Sequence, residues 1–264
     1  MKNRRIIFLG STKLSEEILK HLISRGHNIV AIFSIPEFFD ISYSEKKVHN
    51  TNFSDLSILA NKYNIPFFLV DKLINKPLEF YKSQIKELLP DVLIAAGWYY
   101  MIKKEIREIP KEGVWGVHAS LLPNYAGGAP LVWALINGEE KTGVTLFKMD
   151  DGVDDGDIIS QGEIIISEKD NIKSLLFKSQ EVSKKLLNEA LNKETISYYK
   201  QKKSGIKIYP QRSPDDGEID LNWDNKKIID FVRAQSKPYP GAWIRHGNKK
   251  IILWEISIEN FKNE

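Results

Sequence analysis

Ile6-Ile7-Phe8-Leu9 is an unbroken apolar run that closes on Gly10 and passes at once into Ser11-Thr12 and a helical pattern. An uninterrupted run of this kind reads as a strand buried on both faces, the condition of strands in parallel sheets. Ser11-Thr12 offers a helix cap. Leu14, Ile18, Leu19, Leu22 and Ile23 then recur at helical spacing, and Gly26 stops the helix. The same alternation continues. Ile29 to Phe33 reads as a strand, 54–63 as a helix, Pro66 to Val70 as a strand, 78–89 as a helix and Asp91 to Ala96 as a strand. Strand and helix in alternation predict parallel βαβ units, hence an α/β fold with a Rossmann-like, mostly parallel sheet.

The first turn, Gly10-Ser11-Thr12, lacks the G-x-G-x-x-G pattern, so no dinucleotide is expected. Ligands of open α/β sheets sit beyond the carboxyl ends of the strands. That directs attention to the Gly10–Thr12 turn, to the loop after Ala96 and to the loop after Val114-Trp-Gly-Val-His118. Residues 142–148 and 157–166 read as further strands, and 170–196 as a long helix. Residues 201–217, QKKSGIKIYPQRSPDDG, are basic, polar and turn-rich. The expected division is therefore 1–200 as the main domain and 201–264 as a small α+β extension. In the extension a short helix is expected over 225–235 and strands over 242–246 and 249–256.

Composition excludes several classes. With 42% hydrophobic and 28% charged residues the chain is not disordered as a whole. A net charge of +3 gives no footprint for a nucleic-acid partner. The absence of cysteine excludes disulfides, a thiol nucleophile and thiolate metal sites. No apolar run has the length of a signal core or a membrane span. A cytoplasmic protein with no metal and no membrane contact is expected.

Two segments carry chemistry. His118 stands at a strand end and leads into LLPNYAGGAP, residues 121–130. MDDGVDDGDII follows at 149–159. A histidine beside an aspartate in a Gly-bearing loop supplies the parts for proton transfer and for stabilising charge on a carbonyl oxygen. Aspartates between glycines are equally at home as turn formers.

The stretch from Gly113 to Ile159 resembles the core of the folate-dependent formyltransferases. That family carries N-x-H-x-S-L-L-P, then Y-R-G-x-x-P, T-G-V-T and D-x-G-x-D-x-G-D-I. The matching residues are His118, Ser120-Leu-Leu-Pro123, Tyr125, Gly127, Pro130, Thr142-Gly-Val-Thr145 and Asp151 through Ile158. The resemblance spans roughly residues 4–246. It implies 10-formyltetrahydrofolate as formyl donor and an amine as acceptor. His118 would hold the developing oxyanion and Asp154 would assist removal of the amine proton. The folate pocket would map onto Ala96, Gly97, Trp98, Tyr99 and Tyr100 and onto Asp150, Asp151 and Gly152; ordinary packing is the other reading of the three aromatics. Two positions depart from the family: Gly116 stands for its Asn and Ala126 for its Arg. The Asn is assigned to the formyl oxygen, so a water, a backbone N–H or another side chain such as Asn124 would have to serve. One branch that lacks the Asn, in 10-formyltetrahydrofolate dehydrogenase, releases the formyl group to water, so a hydrolase stays in view.

The tail, Arg212 to Trp223, Phe231 to Ala234 and Tyr239 to Trp243, is similar to sugar N-formyltransferases and to the formyl-transferring half of the lipid A aminoarabinose enzyme. Residues 244–264 after Trp243 are too few for the β-barrel of the methionyl-tRNA enzymes. The expected acceptor is therefore a nucleotide-linked amino-deoxy sugar, best a dTDP-4-amino-4,6-dideoxyhexose, in surface polysaccharide (O-antigen) synthesis. Ser11, Tyr125, Arg212, Trp223, Arg233, Tyr239 and Trp243 are candidates to hold it, because a base needs a stacking surface and a diphosphate needs cations. A tRNA-directed enzyme and an inactive folate or nucleotide-sugar binder are the alternatives. The short C-terminal strands are expected to pair in a homodimer.

Overall fold

The computed structural model describes residues 3–39, 48–71, 76–202 and 207–259. Strand β1 (Arg5–Leu9) leads to helix α1 (Lys13–Ser24), β2 (Asn28–Ser34), β3 (Phe38–Phe39), β4 (Val48–His49), α2 (Ser57–Tyr63) and β5 (Phe67–Leu69). A 3₁₀ turn (Leu78–Tyr81) runs into α3 (Lys82–Glu87), followed by β6 (Val92–Ala96), α4 (Lys104–Arg107) and β7 (Val114–His118). Then come β8 (Ala126–Gly127), α5 (Pro130–Ile136), β9 (Lys141–Lys148), β10 (Ile158–Ile165) and α6 (Ile172–Asn192). The remainder is β11 (Ile208–Tyr209), α7 (Asn225–Gln235), β12 (Ala242–His246) and β13 (Lys249–Leu253).

The main sheet has seven strands in the order β10-β9-β7-β6-β1-β2-β5. Pairing is parallel from β5 to β7 and antiparallel from β7 to β10. β1 is buried throughout its apolar run because both sheet faces are covered. Ile6 and Phe8 join the core under α1, α5 and α6; Ile7 and Leu9 join the core under α3 and α4. Alternate residues of a strand point to opposite faces, so an all-apolar strand needs a layer on each. The expected cap of α1 is present: Thr12 accepts from the Ser15 backbone and Ser15 answers to the Thr12 backbone.

The small C-terminal part packs α7 against α5, with Ile219, Phe231, Val232 and Ala242 as its own apolar centre. It is joined to the main body by β11, which pairs in parallel with β8. Gly127 makes that junction possible. A Cβ there would lie 2.3 Å from the Tyr209 carbonyl oxygen, and its φ of +101° suits glycine alone.

Among the described residues no helix is long and apolar enough to cross a membrane. No group of three or more metal-ligating side chains occurs among them either.

Candidate active site

β1, β6 and β7 end side by side, with Leu9 opposite Ala95 and Ala96 opposite Val117. Strand order reverses between β1 and β6, the place where open α/β sheets leave a crevice. Here the protein fills that crevice itself. The Ser11 N–H donates to the Gly97 carbonyl at 3.2 Å, and Ser15 Oγ donates to the Ala96 carbonyl at 2.6 Å. Asn50 donates to the Ser11 carbonyl at 3.1 Å, and the Tyr99 hydroxyl donates to Asn50 at 3.3 Å. Ser11 is fully buried in this network, so its polar atoms are spent within the protein. The open chemistry lies one strand further, at the end of β7.

There His118 Nδ1 faces Asp154 Oδ2 at 3.4 Å. His118 Nε2 lies 2.8 Å from the Tyr125 carbonyl oxygen. A carbonyl only accepts, so Nε2 carries a proton and donates it. In the neutral ring Nδ1 is then a lone pair beside a carboxylate; in the protonated ring it is a donor aimed at the same place. Asp154 sits in the loop between β9 and β10 with a left-handed φ of 48°. Its Oδ2 accepts the Gly127 N–H at 2.8 Å. Its carbonyl accepts from Gln201 Nε2 at 2.9 Å, and the same amide group reaches the Gly156 carbonyl at 2.7 Å. The Gly127 N–H thus holds the carboxylate, and Gln201 holds the backbone that carries it.

The loop after His118 is held as tightly. Thr145 pairs with His118 in register across β7 and β9. Its hydroxyl donates to the Ser120 carbonyl at 2.7 Å and accepts the Leu122 N–H at 3.0 Å and Gln161 Nε2 at 2.8 Å. Beneath, Leu122, Ala126 and Phe147 form a small apolar cluster with Met149 against it.

Phe147 also accounts for Gly116. The two are direct partners across β7 and β9. A Cβ on residue 116 would lie 2.6 Å from Phe147 Cε1 and 2.7 Å from Cζ. The ring is 1% exposed and cannot swing away into solvent. The space on the His118 side of the strand, which any side chain at 116 would take, belongs to this ring. Gly116→Asn is therefore expected to lower stability by about 1–3 kcal/mol through overpacking, and to slow turnover rather than raise it. Melting temperature and kcat, both unchanged, would show that the ring yields.

The candidate cofactor residues lie on two loops, one after β6 and one after β9. Ala96 and Tyr100 are buried, while Gly97, Trp98 and Tyr99 are half-buried at the exit of β6. Trp98 Nε1 is buried with no hydrogen-bond partner among the described residues. An orphaned indole N–H beside an aromatic wall suits a flat heterocycle with acceptor atoms. Asp150, Asp151 and Gly152 are exposed on the second loop. Arg107 ties the loops together: it pairs with Asp151 and donates to the Ile102 carbonyl at 2.8 Å. Neither Arg107 nor Gln201 stood out in the sequence, because each acts across a long chain separation with no local pattern.

The proposed substrate residues fall in four different places. Tyr125 lies at the site, its ring stacked on Tyr209 at 4.7 Å, and its hydroxyl is pushed well above the usual phenol range by burial and by Glu139. Arg212 adjoins this aromatic group, with its guanidinium 4.8 Å from the Trp133 ring, and burial lowers its pKa. Trp223 and Trp243 belong instead to the C-terminal body, Trp223 against Phe231 and Trp243 Nε1 donating to the Pro214 carbonyl at 3.1 Å. Arg233 pairs with Asp230 at 2.7 Å and donates to the Ser167 and Asp170 carbonyls, so it braces the start of α6. Tyr239 packs against the main core, its pKa pushed up to about 12 by burial. Tyr209 and Trp133, which line the site's flank, went unnoticed in the sequence.

A parallel sheet that turns antiparallel at one edge, with a His–Asp pair at the junction, defines a particular class of enzyme. The formyl transferase family model matches residues 4–191, and the model for the formyl transferase C-terminal domain matches 212–264. The chain belongs to the formyltransferase family and is a formyltransferase. It is 35% identical over 258 residues to a methionyl-tRNA formyltransferase from Kosmotoga olearia, covering 96% of this chain and 80% of the relative. The fold is also that of a sugar N-formyltransferase from a Shewanella species, at a TM-score of 0.72 and 17% identity, covering 98% of this chain and 99% of that one. HypX from Aquifex aeolicus in complex with tetrahydrofolic acid shares it as well, at a TM-score of 0.65 and 19% identity, covering 96% of this chain and 38% of that one.

Proposed function

We propose that this enzyme moves a formyl group from 10-formyltetrahydrofolate to the amine of a nucleotide-linked amino-deoxy sugar, with a dTDP-4-amino-4,6-dideoxyhexose as the first candidate. The observation that carries the reaction is the His118–Asp154 pair, held at 3.4 Å beyond the end of β7. The folate supplies an activated formyl carbon. The pterin would enter between Trp98 and the Asp150–Gly152 loop. His118, protonated, donates from Nδ1 to the formyl oxygen as charge builds there. Asp154 takes the proton that the attacking amine must lose, directly or through one water. The new C–N bond forms first, giving a tetrahedral intermediate; its collapse breaks the bond to the folate nitrogen, which leaves with the proton that Asp154 took from the amine. The C-terminal body, the cytoplasmic setting and a homodimer belong to the same reading.

Two features favour a small anionic acceptor. Tyr125, Tyr209 and Trp133 form an aromatic flank with Arg212 beside it. The net charge of +3 gives little attraction for a polynucleotide. Identity to the Kosmotoga enzyme favours a second reading, in which the acceptor is methionyl-tRNA. One experiment separates them. The enzyme is supplied with 10-formyltetrahydrofolate and, in parallel, a panel of nucleotide-linked amino sugars, methionyl-tRNA, or no acceptor. Mass spectrometry follows the acceptor and a second channel follows formate. A formylated sugar is the expected result. Formylated tRNA alone overturns the sugar reading, formate without acceptor points to hydrolysis, and binding without product to an inactive relative.

A further inference from the structure

We propose that Tyr125 is a positioning residue that fixes which nitrogen of His118 bears the proton, through an anchor made by Glu139 and Asn137. The proposal rests on the reading of His118 as the group that meets the formyl oxygen.

Tyr125 contacts His118 only through its backbone. The carbonyl that accepts Nε2–H belongs to a residue in the left-handed region, with φ of 57°. A tyrosine does not hold that conformation without support from its surroundings. The support is at the far end of the side chain. The hydroxyl donates to Glu139 Oε1 at 2.6 Å and accepts from Asn137 Nδ2 at 3.0 Å. The ring lies flat on Tyr209, with centroids 4.7 Å apart and planes at 24°. Residues 137–139 follow directly on α5, whose own packing against α7 fixes them. Behind the peptide, Ser120 Oγ donates to the Asn124 carbonyl at 2.6 Å, and the Gly127 N–H is bound to Asp154. The Tyr125 carbonyl therefore has one orientation, and it points at Nε2.

The consequence is chemical. With Nε2–H committed to a carbonyl, the proton that His118 can give or keep back is the one on Nδ1. Nδ1 is the nitrogen facing Asp154 and the reacting groups. If the carbonyl turned away, the proton of the neutral ring could settle on Nδ1 against Asp154, and the proton that His118 exchanges would then be the one on Nε2, on the far side of the ring from the reacting groups. Toward the formyl group Tyr125 and Glu139 act only through the imidazole, separately from any contact the Tyr125 ring makes with the acceptor.

The test uses the full chain, with Tyr125→Phe, Glu139→Gln and Glu139→Leu. Glu139→Gln keeps an acceptor for the hydroxyl, and the other two break the anchor. The first readout is the pair of His118 imidazole nitrogen resonances in ¹⁵N NMR, which needs no substrate. Wild type is expected to show neutral His118 protonated at Nε2 alone. Tyr125→Phe and Glu139→Leu are expected to show exchange between both tautomers, and Glu139→Gln to stay near wild type. The second readout is kinetic: kcat is expected to fall roughly ten- to a hundredfold in the two broken variants, as for a misplaced catalytic group, with KM for the formyl donor little changed. A wild-type NMR signature in folded Tyr125→Phe overturns the proposal, whatever kcat does. If the tautomers shift as expected but wild-type enzyme formylates no acceptor, the positioning stands and the reaction assigned to the site falls.

Discussion

Replacing His118 with alanine is expected to lower kcat by about 10³-fold, within the range that a positioned acid or base contributes, while the fold stays intact. The side chain is 8% exposed and its polar partners are the Tyr125 carbonyl and Asp154, so a modest loss of stability is expected beside the loss of chemistry. Asp154→Asn is expected to cost about 10²–10⁴-fold, and it isolates the chemistry better. An asparagine oxygen can still accept the Gly127 N–H, and Gln201 still holds the backbone. What disappears is the proton acceptor and the negative charge 3.4 Å from Nδ1. Because both residues act in the same transition state, one at the formyl oxygen and one at the amine, the double variant is expected to be little worse than the poorer single one. The check is kcat and KM for all three in whichever acceptor assay succeeds, with thermal melts as a control. Near-normal kcat in either single variant would remove that residue from the mechanism. Strict additivity in the double variant would mean that the two act in separate steps.

Much of this site was legible in the sequence because its parts are local. β1 and α1 announce themselves by an apolar run, a cap and a helical repeat within one stretch of chain. His118 and Asp154 each stand in a motif with glycine or proline at fixed offsets. The rest depends on contacts between distant segments. Residues 201–217 read as a boundary because they are polar and turn-rich, yet Gln201 is buried and props up Asp154. Tyr199 also bridges to Ile158 at the start of β10. Polar side chains used to satisfy buried carbonyls leave no periodic trace. α5 was missed for another reason. It begins with Pro130 after Ala129 in the left-handed region, and a proline suited to the first turn of a helix also reads as loop punctuation. The helix expected over 78–89 is instead a 3₁₀ turn and the shorter α3, which ends at Glu87, with Leu89 beyond it turned to a φ of 45°. Gly116 shows the limit most clearly. The sequence reveals a missing side chain, and only the register of β7 against β9 reveals Phe147 in its place.

Arg4 is expected to contribute about 3–5 kcal/mol to folding, the usual cost of breaking a buried pair, though it lies far from the chemistry. The residue is 2% exposed. Its Nε is paired with Glu112 at 2.8 Å, ahead of β7. Its two terminal nitrogens donate to the carbonyls of Leu191 and Lys193 at 2.8 and 2.9 Å. Those carbonyls lie at the end of α6 and have no partner in the next helical turn, so the guanidinium closes the helix from outside. One planar fork thus joins the edge of β1, the entry to β7 and the last turn of the longest helix. Arg4→Lys keeps the charge but cannot serve three acceptors in that geometry, and it is expected to recover less than half of the loss. Arg4→Met keeps most of the volume and gives the cleanest measurement, by urea unfolding at constant m-value. A loss below about 1 kcal/mol would place Arg4 with ordinary surface pairs. Function is expected to follow stability here. The chain leaving α6 at Lys193 runs on to Gln201, which holds the Asp154 loop. At low temperature, where Arg4→Met remains folded, kcat is expected to stay within about threefold of wild type, since the contacts of Gln201 are made independently of Arg4. On warming, activity and the unfolding signal are expected to disappear together. Activity lost well before unfolding would instead show that the end of α6 loosens locally and releases Asp154 first.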